Sequence, residues 1–429
     1  MARAATGKRI VLATYGSPGD VQPFLAIGME LRARGHDPVV ATSEHYRQAV
    51  AATGLTFAPI RPDRSPGQQD PDFLDRLLRD REPPRAIFRA MFLPSPRDSF
   101  EDMLRATEGV DGIVSHTLTP AARLAAEMRR LPWVSAVMQP MGYLSAHEPP
   151  VVGFPWVAAG LRAAGPGPTA RVLRGVRRLT QRWAGDWHEL RSELGLPPVS
   201  QHPLWEGQHA PRQSLGLFPR LLGSPQLDWP PQARVTGFPF YRAPDRVLDP
   251  AVERFLAGGD PPLVFTLGTT AVNDPGPFYA VSAAAARLLG RRALLLGGRR
   301  DAIPLSGRSD DVLTAPYAPH DLVFPRGSVI VHQGGIGTLS EALLAGKPML
   351  IMPYGHDQAD NAWRASRLGV AQVIPRRRFR AHEVSRALAN LLRSPERGEM
   401  AASASRAVAR ERGASVAADM ILEALSSSF

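Results

Sequence analysis

The chain has 429 residues, no cysteine and a formal net charge of +11. At ~100–200 residues per domain it holds two or three domains, and the missing cysteines exclude disulfides, thiolate-bound zinc, iron–sulfur clusters and a thiol nucleophile. All but two of the 51 basic residues are arginine, and they are scattered among acids rather than gathered in a stripe, which argues against a nucleic-acid partner.

Residues 9–14 form a short apolar run without alternation, the pattern of a strand buried on both faces. The run is too short for a signal-peptide core, and no later stretch reaches the ~18–20 apolar residues that span a bilayer. A cytoplasmic protein is therefore expected. Tyr15-Gly-Ser-Pro-Gly-Asp20 is a Gly/Pro turn, and residues 22–34 carry Phe24, Leu25, Ile27 and Leu31 at helical spacing. Further strands are predicted at 37–42, 112–116 and 133–138, with a helix over 120–128. Strands alternating with helices at this pitch predict an α/β fold with a parallel, doubly wound sheet. Residues 60–100 and 140–215 fit that rhythm less well. The second segment joins an apolar, proline-studded stretch at 141–157 to a basic helical one at 171–194, and insertions of this kind carry specificity.

Prolines at 239, 244 and 250 mark a linker. The division is an N-terminal domain at 1–238, a linker at 239–250 and a C-terminal domain at 251–405. In the last of these the rhythm restarts, with strands at 262–267, 293–296, 329–332 and 349–353, a helix over 278–289 and another beginning at Thr338. Residues 406–429 supply a final helix expected to pack back on the N-terminal domain.

The segment richest in chemistry runs from His332-Gln-Gly-Gly-Ile-Gly-Thr-Leu-Ser-Glu341 to Pro348. A strand delivers His332 to its carboxyl end, glycines let the backbone approach a ligand, and the next helix presents free N–H groups and its positive dipole end. That arrangement suits a diphosphate; a tight strand–helix turn would also account for the glycines alone. Pro353-Tyr-Gly-His-Asp-Gln-Ala-Asp-Asn361 follows the next strand. Asp357 and Gln358, a carboxylate beside an amide, suit sugar hydroxyls at the carboxyl edge of the sheet. Glu341, placed in the helix's first turn, suits a ribose diol or simply complements the dipole.

His-x-Gly-Gly-x-Gly-Thr, Glu-Ala, Gly-x-Pro, Asp-Gln and Asn-Ala together resemble the donor-binding signature of family 1 glycosyltransferases, which have the GT-B fold. Gly16-Ser-Pro-Gly-Asp-Val-Gln-Pro23 independently resembles the first loop of the bacterial and sterol branches. Pro225-Gln-Leu-Asp-Trp-Pro230, Thr236-Gly-Phe-Pro239 and Tyr317-Ala-Pro319 further resemble the rhamnosyltransferases of rhamnolipid synthesis. The resemblance spans essentially the whole chain and implies two facing Rossmann-like domains with a cleft between them, acceptor on the N-terminal one and donor on the C-terminal one. It places the diphosphate at His332 and the N–H groups of Gly335, Ile336, Gly337 and Thr338, with Thr269 and Gly19 also on the donor. The pyrimidine falls against the Ala318 backbone, the ribose at Glu341, and the sugar at Asp357 and Gln358.

The implied reaction is inverting transfer from a UDP- or dTDP-activated sugar to a hydroxyl of a lipophilic acceptor, such as a hydroxy-fatty acyl group, a polyketide or a flavonoid-like phenol. No metal or other cofactor is required. Asp20 stands where plant relatives carry a histidine and is the expected general base; its competing role is N-cap of a helix starting at Val21. His116, at a strand end, lines the acceptor cleft or assists Asp20. The apolar stretch 138–157 floors an acceptor pocket or packs as ordinary core. Arg174, Arg177 and Arg178 form a solvated face, with peripheral membrane attraction the secondary reading. A monomer or homodimer is expected. Two other readings use the same donor signature: a sugar-nucleotide epimerase of GT-B fold, and a non-catalytic nucleotide-sugar-binding helper.

Overall fold

A computed structural model describes residues 7–63, 95–153, 155–268, 275–297 and 311–426. The apolar runs become two parallel sheets. β1 (Arg9–Ala13), β2 (Asp37–Thr42), β3 (Thr56–Pro59), β4 (Gly112–His116), β5 (Trp133–Val137), β6 (Ser214–Gly216) and β7 (Ala233–Val235) lie in the order β3-β2-β1-β4-β5-β6-β7. β8 (Leu263–Thr266), β9 (Ala293–Leu296), β10 (Val312–Ala315), β11 (Val329–His332), β12 (Met349–Ile351) and β13 (Ala371–Val373) repeat the pattern as β10-β9-β8-β11-β12-β13. The central pairs β1–β4 and β8–β11 are both parallel, in the registers Ile10 to Gly112 and Val329 to Leu263. In each sheet the strand order reverses between the first and fourth strands. The crevice opened there, at the carboxyl ends, is where such sheets bind ligands.

Burial on both faces explains why these strands lack alternation. Ile10 and Leu12 face one helical layer with Phe24 and Ile27, whereas Val11 and Ala13 face the other with Leu124 and Trp187. In the second sheet Val264 and Ile330 pack toward Leu339 and Leu343, and Phe265 and Val331 toward Phe278 and Leu388. One apolar cluster is shared by both halves: Phe218, Leu222 and Phe238 of the first meet Ile336 and Leu339 of the second.

The chain end differs from its expected form. The helix Pro395–Ala409 stays on the second domain, where the Ser405 hydroxyl donates to the Leu344 carbonyl at 2.6 Å. The next helix, Gly413–Ser426, crosses to the first, placing Ala417, Ala418 and Ile421 against Ile10 and Phe24. Arg34 ties it down by donating to Ser415 Oγ at 2.8 Å, and Gly112 makes room for Leu425, since a Cβ there would lie 2.3 Å from the leucine. The basic stretch likewise divides into Pro166–Gln181 and Gly185–Glu193, because the fully buried Trp187 must turn inward.

Candidate active site

The first loop is fixed from several sides. Ser17 is the N-cap of the helix Pro18–Ala33, with proline at its first position, a favoured start. Asp20 is the third residue of that helix, and its Oδ2 accepts from the Ser17 amide at 2.7 Å and the Ser17 hydroxyl at 2.8 Å. It is the acid of a capping box, which corrects the alternative that made Asp20 the N-cap of a helix starting at Val21. Gly16 permits the arrangement: its φ is +135°, and a Cβ there would lie 2.4 Å from Oδ2. The Thr14 hydroxyl donates to the Asp20 carbonyl and the Tyr46 hydroxyl to that of Gly16, each at 2.9 Å.

β4 brings His116 beside this loop at the switch point. Nδ1 lies 3.2 Å from the Tyr15 carbonyl, which can only accept, so Nδ1 carries the proton and Nε2 the lone pair. Burial lowers the pKa of His116 more than the charge of Asp20 raises it, so the ring is neutral. Nε2 stands 3.9 Å from Asp20 Oδ1, beyond hydrogen-bond reach. Two acceptor atoms therefore face one gap, with no donor between them among the described residues.

The second domain forms the opposite wall. β11 ends on His332, which is fully buried. Its Nδ1 accepts from the Gly334 amide at 3.0 Å, so the proton sits on Nε2, an atom with no partner among the described residues. Burial, helped by His320, pushes its pKa down to about 3, so it acts as a neutral donor. Gly335 caps the helix Ile336–Ala345, which starts two residues earlier than its sequence predicts. Ile336, Gly337 and Thr338 thus supply the first-turn N–H groups that no helical carbonyl takes. A Cβ on Gly337 would lie 3.9 Å from Gly19 Cα and 3.8 Å from Phe238. The starts of the Pro18 and Ile336 helices therefore approach each other through glycines.

The loop after β12 completes the wall. Asp357 precedes the helix Gln358–Arg367 and is half-buried. Burial, followed by the charge of Asp20 across the cleft, pushes its pKa up to about 7. Asn361 donates to Asp357 Oδ2 at 2.6 Å and to the Gly334 carbonyl at 3.0 Å, joining this loop to the glycine loop.

Comparison with known proteins agrees with that geometry. Residues 10–93 match the glycosyltransferase family 28 N-terminal domain, and residues 300–419 its C-terminal domain. The chain is 34% identical to O-mycaminosyltylonolide 6-deoxyallosyltransferase of Streptomyces fradiae, over 97% of each protein. The chain belongs to the GT-B glycosyltransferases of family 1 type. Solved structures share its fold: the glycosyltransferase of kitacinnamycin at TM-score 0.74 and 22% identity, covering 97% of this chain and 99% of that one. The glycosyltransferase VinC, in complex with dTDP, matches at 0.71 and 18%, with the same coverage.

In this glycosyltransferase the cleft brings together Gly19, Asp20 and His116 from one side and His332, Gly335, Ile336, Gly337, Thr338 and Asp357 from the other. Thr269 lies outside the described residues. Ala318 is buried beside an exposed Tyr317. Gln358 braces its own loop, its Oε1 accepting from Tyr354 N at 2.8 Å, so only its amide nitrogen remains for a ligand. Glu341 sits in the second turn of its helix rather than the first, and both carboxylate oxygens are held by Arg242, at 2.5 and 3.1 Å. Neither the contact of Asn361 nor that of Arg242 is read from the sequence. Asn361 has a local signal, lying one helical turn after Asp357; Arg242 has none, since its partner is a hundred positions away.

The stretch 138–157 is partly core and partly a link to the donor side. Met138 and Val151 are buried, and the Val151 amide donates to Asp360 at 2.9 Å. A cavity of about 970 Å³ opens elsewhere, at the amino ends of β5 to β7 near Trp133, Trp205 and Trp229. It is at the other end of the sheet from Asp20. No helix among the described residues is long and apolar enough to cross a membrane, and none of their acidic and histidine side chains cluster in threes as a metal site would.

Proposed function

We propose that this glycosyltransferase moves a sugar from a nucleoside-diphosphate donor to a hydroxyl of a lipophilic natural-product acceptor, with inversion and with Asp20 as general base. The observation that carries the reading is the gap between Asp20 Oδ1 and His116 Nε2, close to which the Ile336 helix begins beside Gly19, together with an Nε2–H of His332 that has no partner among the described residues. The first side offers proton acceptors at Asp20 and His116; the second offers N–H donors at His332 and the helix start, beside the Asp357 carboxyl.

The diphosphate sits on the His332 ring and the helix N–H groups, where a dipole end and a neutral donor stabilise negative charge. The acceptor hydroxyl lies against Asp20 Oδ1. As its oxygen bonds to the anomeric carbon, its proton passes to Oδ1. The bond from that carbon to the diphosphate oxygen breaks with its electron pair going to the leaving group. His116, being neutral, places no counter-charge beside the carboxylate, and its Nε2 lone pair is the next acceptor for the proton. Asp357 and Gln358 hold the transferred sugar. A thymidine or uridine diphosphate sugar fits the set, and VinC, crystallised with dTDP, supports a donor of this kind. The Streptomyces fradiae relative, a 6-deoxyallosyltransferase of O-mycaminosyltylonolide, supports a natural-product acceptor.

The test is acceptor-stimulated release of nucleoside diphosphate by wild type and Asp20→Asn. Asparagine keeps the oxygen that Ser17 donates to, so the helix start survives. A general base contributes ~10²–10⁴ in rate, and we expect a loss of kcat/KM in that range with donor affinity unchanged. Full activity in the variant would remove Asp20 from the chemistry, and release that ignores the acceptor would point to hydrolysis or epimerisation.

A further inference from the structure

A second crevice lies between the domains, and the transfer chemistry does not use it. A cavity of about 420 Å³ opens where the segments around Glu148, Arg162 and Arg220 of the first domain meet Trp363 and Arg367 of the second. Arg367 ends the helix Gln358–Arg367, so it stands roughly 14 Å along the helix axis from the end beside Asp357.

Three arginines line the cavity, Arg162, Arg220 and Arg367, against a single carboxylate, Glu148. That carboxylate is already engaged, by Arg364 from behind and by Arg367 at 2.7 Å. Arg364 also balances Asp360, at 2.7 Å. Two cations thus cancel two anions, and Arg162 and Arg220 are left in excess. Glu411 accepts from the Arg220 backbone amide at 2.9 Å, and the Arg220 guanidinium has no ion pair among the described residues.

Arg162 is fixed in place. Its Nη2 donates to the Pro149 carbonyl at 2.8 Å, and its guanidinium lies 3.5 Å over the Trp363 ring, which Arg367 also approaches, at 4.8 Å. Its Nε–H is buried without an acceptor among the described residues. Burial lowers its pKa, and the nearby carboxylates do not restore it, because Arg364 and Arg367 act against them. Like charges held this close in a partly dry crevice repel, and an anion in the cavity supplies the missing counter-charge. Ser224 and Gln226 line the same cavity and bring a hydroxyl and an amide. Several forked guanidiniums with neutral donors beside them suit phosphoryl oxygens.

We propose that this crevice binds a phosphoryl dianion that bridges the two domains. The inference stands apart from the donor-site reading, since it uses none of the same side chains.

The test is calorimetric titration of the full chain with sodium phosphate, set against sodium chloride at equal ionic strength. Phosphate should bind wild type and raise its melting temperature, and chloride should do neither. Arg220 is exposed and the Arg367 side chain is 52% exposed, so Arg220→Gln and Arg367→Gln should both fold, and Glu148 keeps Arg364 in the second. Each should weaken phosphate binding about tenfold, the worth of a hydrogen bond from a charged group. Arg220→Lys keeps the charge without the fork and should weaken it about threefold. Binding unmoved in both glutamine variants puts the ion elsewhere, at the glycine loop for instance, and overturns the proposal. A wild-type response to phosphate no greater than to chloride overturns it too. Phenyl phosphate separates the sources of the dianion: tighter binding than phosphate identifies the phosphoryl group of a larger molecule, and equal or weaker binding identifies the free ion. Either supports the site, provided the same variants weaken it.

Discussion

Asp357 and Asp20 come from different domains, and the charge of Asp20 reaches Asp357 across the cleft. The Asp357 carboxyl is pushed from the ordinary 3.8 up to about 7 by burial and then by Asp20. The sign of the stability effect follows. A carboxyl whose folded pKa is raised holds its proton more tightly in the native state, so its contribution is full below about 4 and is lost as pH rises through 7. Asp357→Asn keeps the oxygen that Asn361 donates to and removes the charge. Its melting temperature relative to wild type should be higher at pH 8 than at pH 5, by about 2 °C or more for a chain of this size. Parallel melting curves at the two pH values check this, and an equal offset at both would mean that Asp357 is already ionised at pH 5. Sugar transfer should fall in the same variant even though stability rises, the usual conflict at a site that holds a strained charge.

At the level of elements, the site is a pair of strand–loop–helix corners, and the glycines are where the corners are least replaceable. Gly334 has φ +96°, and a Cβ there would lie 3.0 Å from both the Gln358 carbonyl oxygen and Ile351 Cγ2. Gly334→Ala therefore strains its backbone and pushes apart the two loops that Asn361 ties together. We expect a loss of about 1–2 kcal/mol from the left-handed conformation alone, and at least tenfold weaker binding of the donor nucleotide, measured by denaturant unfolding and calorimetry. Unchanged nucleotide affinity would mean that the glycine loop is not the phosphate site. These corners were legible in the sequence because they are local: strand, glycine turn and helix follow one another within ~15 residues, and their residue types are dictated by φ and by the helix end. Legibility fails where a partner is distant in sequence. Glu341 reads as a free carboxylate until the linker folds Arg242 over it. Gln358 reads as a sugar ligand through its whole amide until its oxygen is seen closing its own loop, which leaves the nitrogen. The capping role of Asp20 is misplaced by three residues in the sequence reading because Pro18, tolerated at a first helical position, hides where the helix begins.

The whole molecule depends on how firmly the two sheets are held to one cleft. Besides the shared apolar cluster, the terminal helix that crosses back and the Val151–Asp360 hydrogen bond, a buried charged group spans the halves. Arg364, 2% exposed, donates to Asp360 at 2.7 Å within its own helix. It also bonds Glu148 and, at 2.8 Å, the Leu222 carbonyl, both of the first domain. Arg367 reaches the same Glu148 at 2.7 Å. Sequence gives no sign of this, since Arg364 and Glu148 are 216 positions apart and neither lies in a motif. Removing Arg364 leaves the fully buried Asp360 without its ion-pair partner, at a cost of about 3–5 kcal/mol. Arg364→Met should therefore lower stability by that amount and, because it cuts a link between domains, should split calorimetric unfolding into two transitions. Glu148→Gln leaves Arg364 paired with Asp360 and should cost much less, about 1 kcal/mol, with unfolding still joined. The donor site is built mainly by the second domain, so nucleotide affinity should largely survive in both variants, whereas transfer, which in the proposed reaction needs Asp20 brought against that site, should fall with Arg364→Met. A single transition at the wild-type temperature in that variant would show that the apolar cluster and the terminal helix hold the cleft without the arginine.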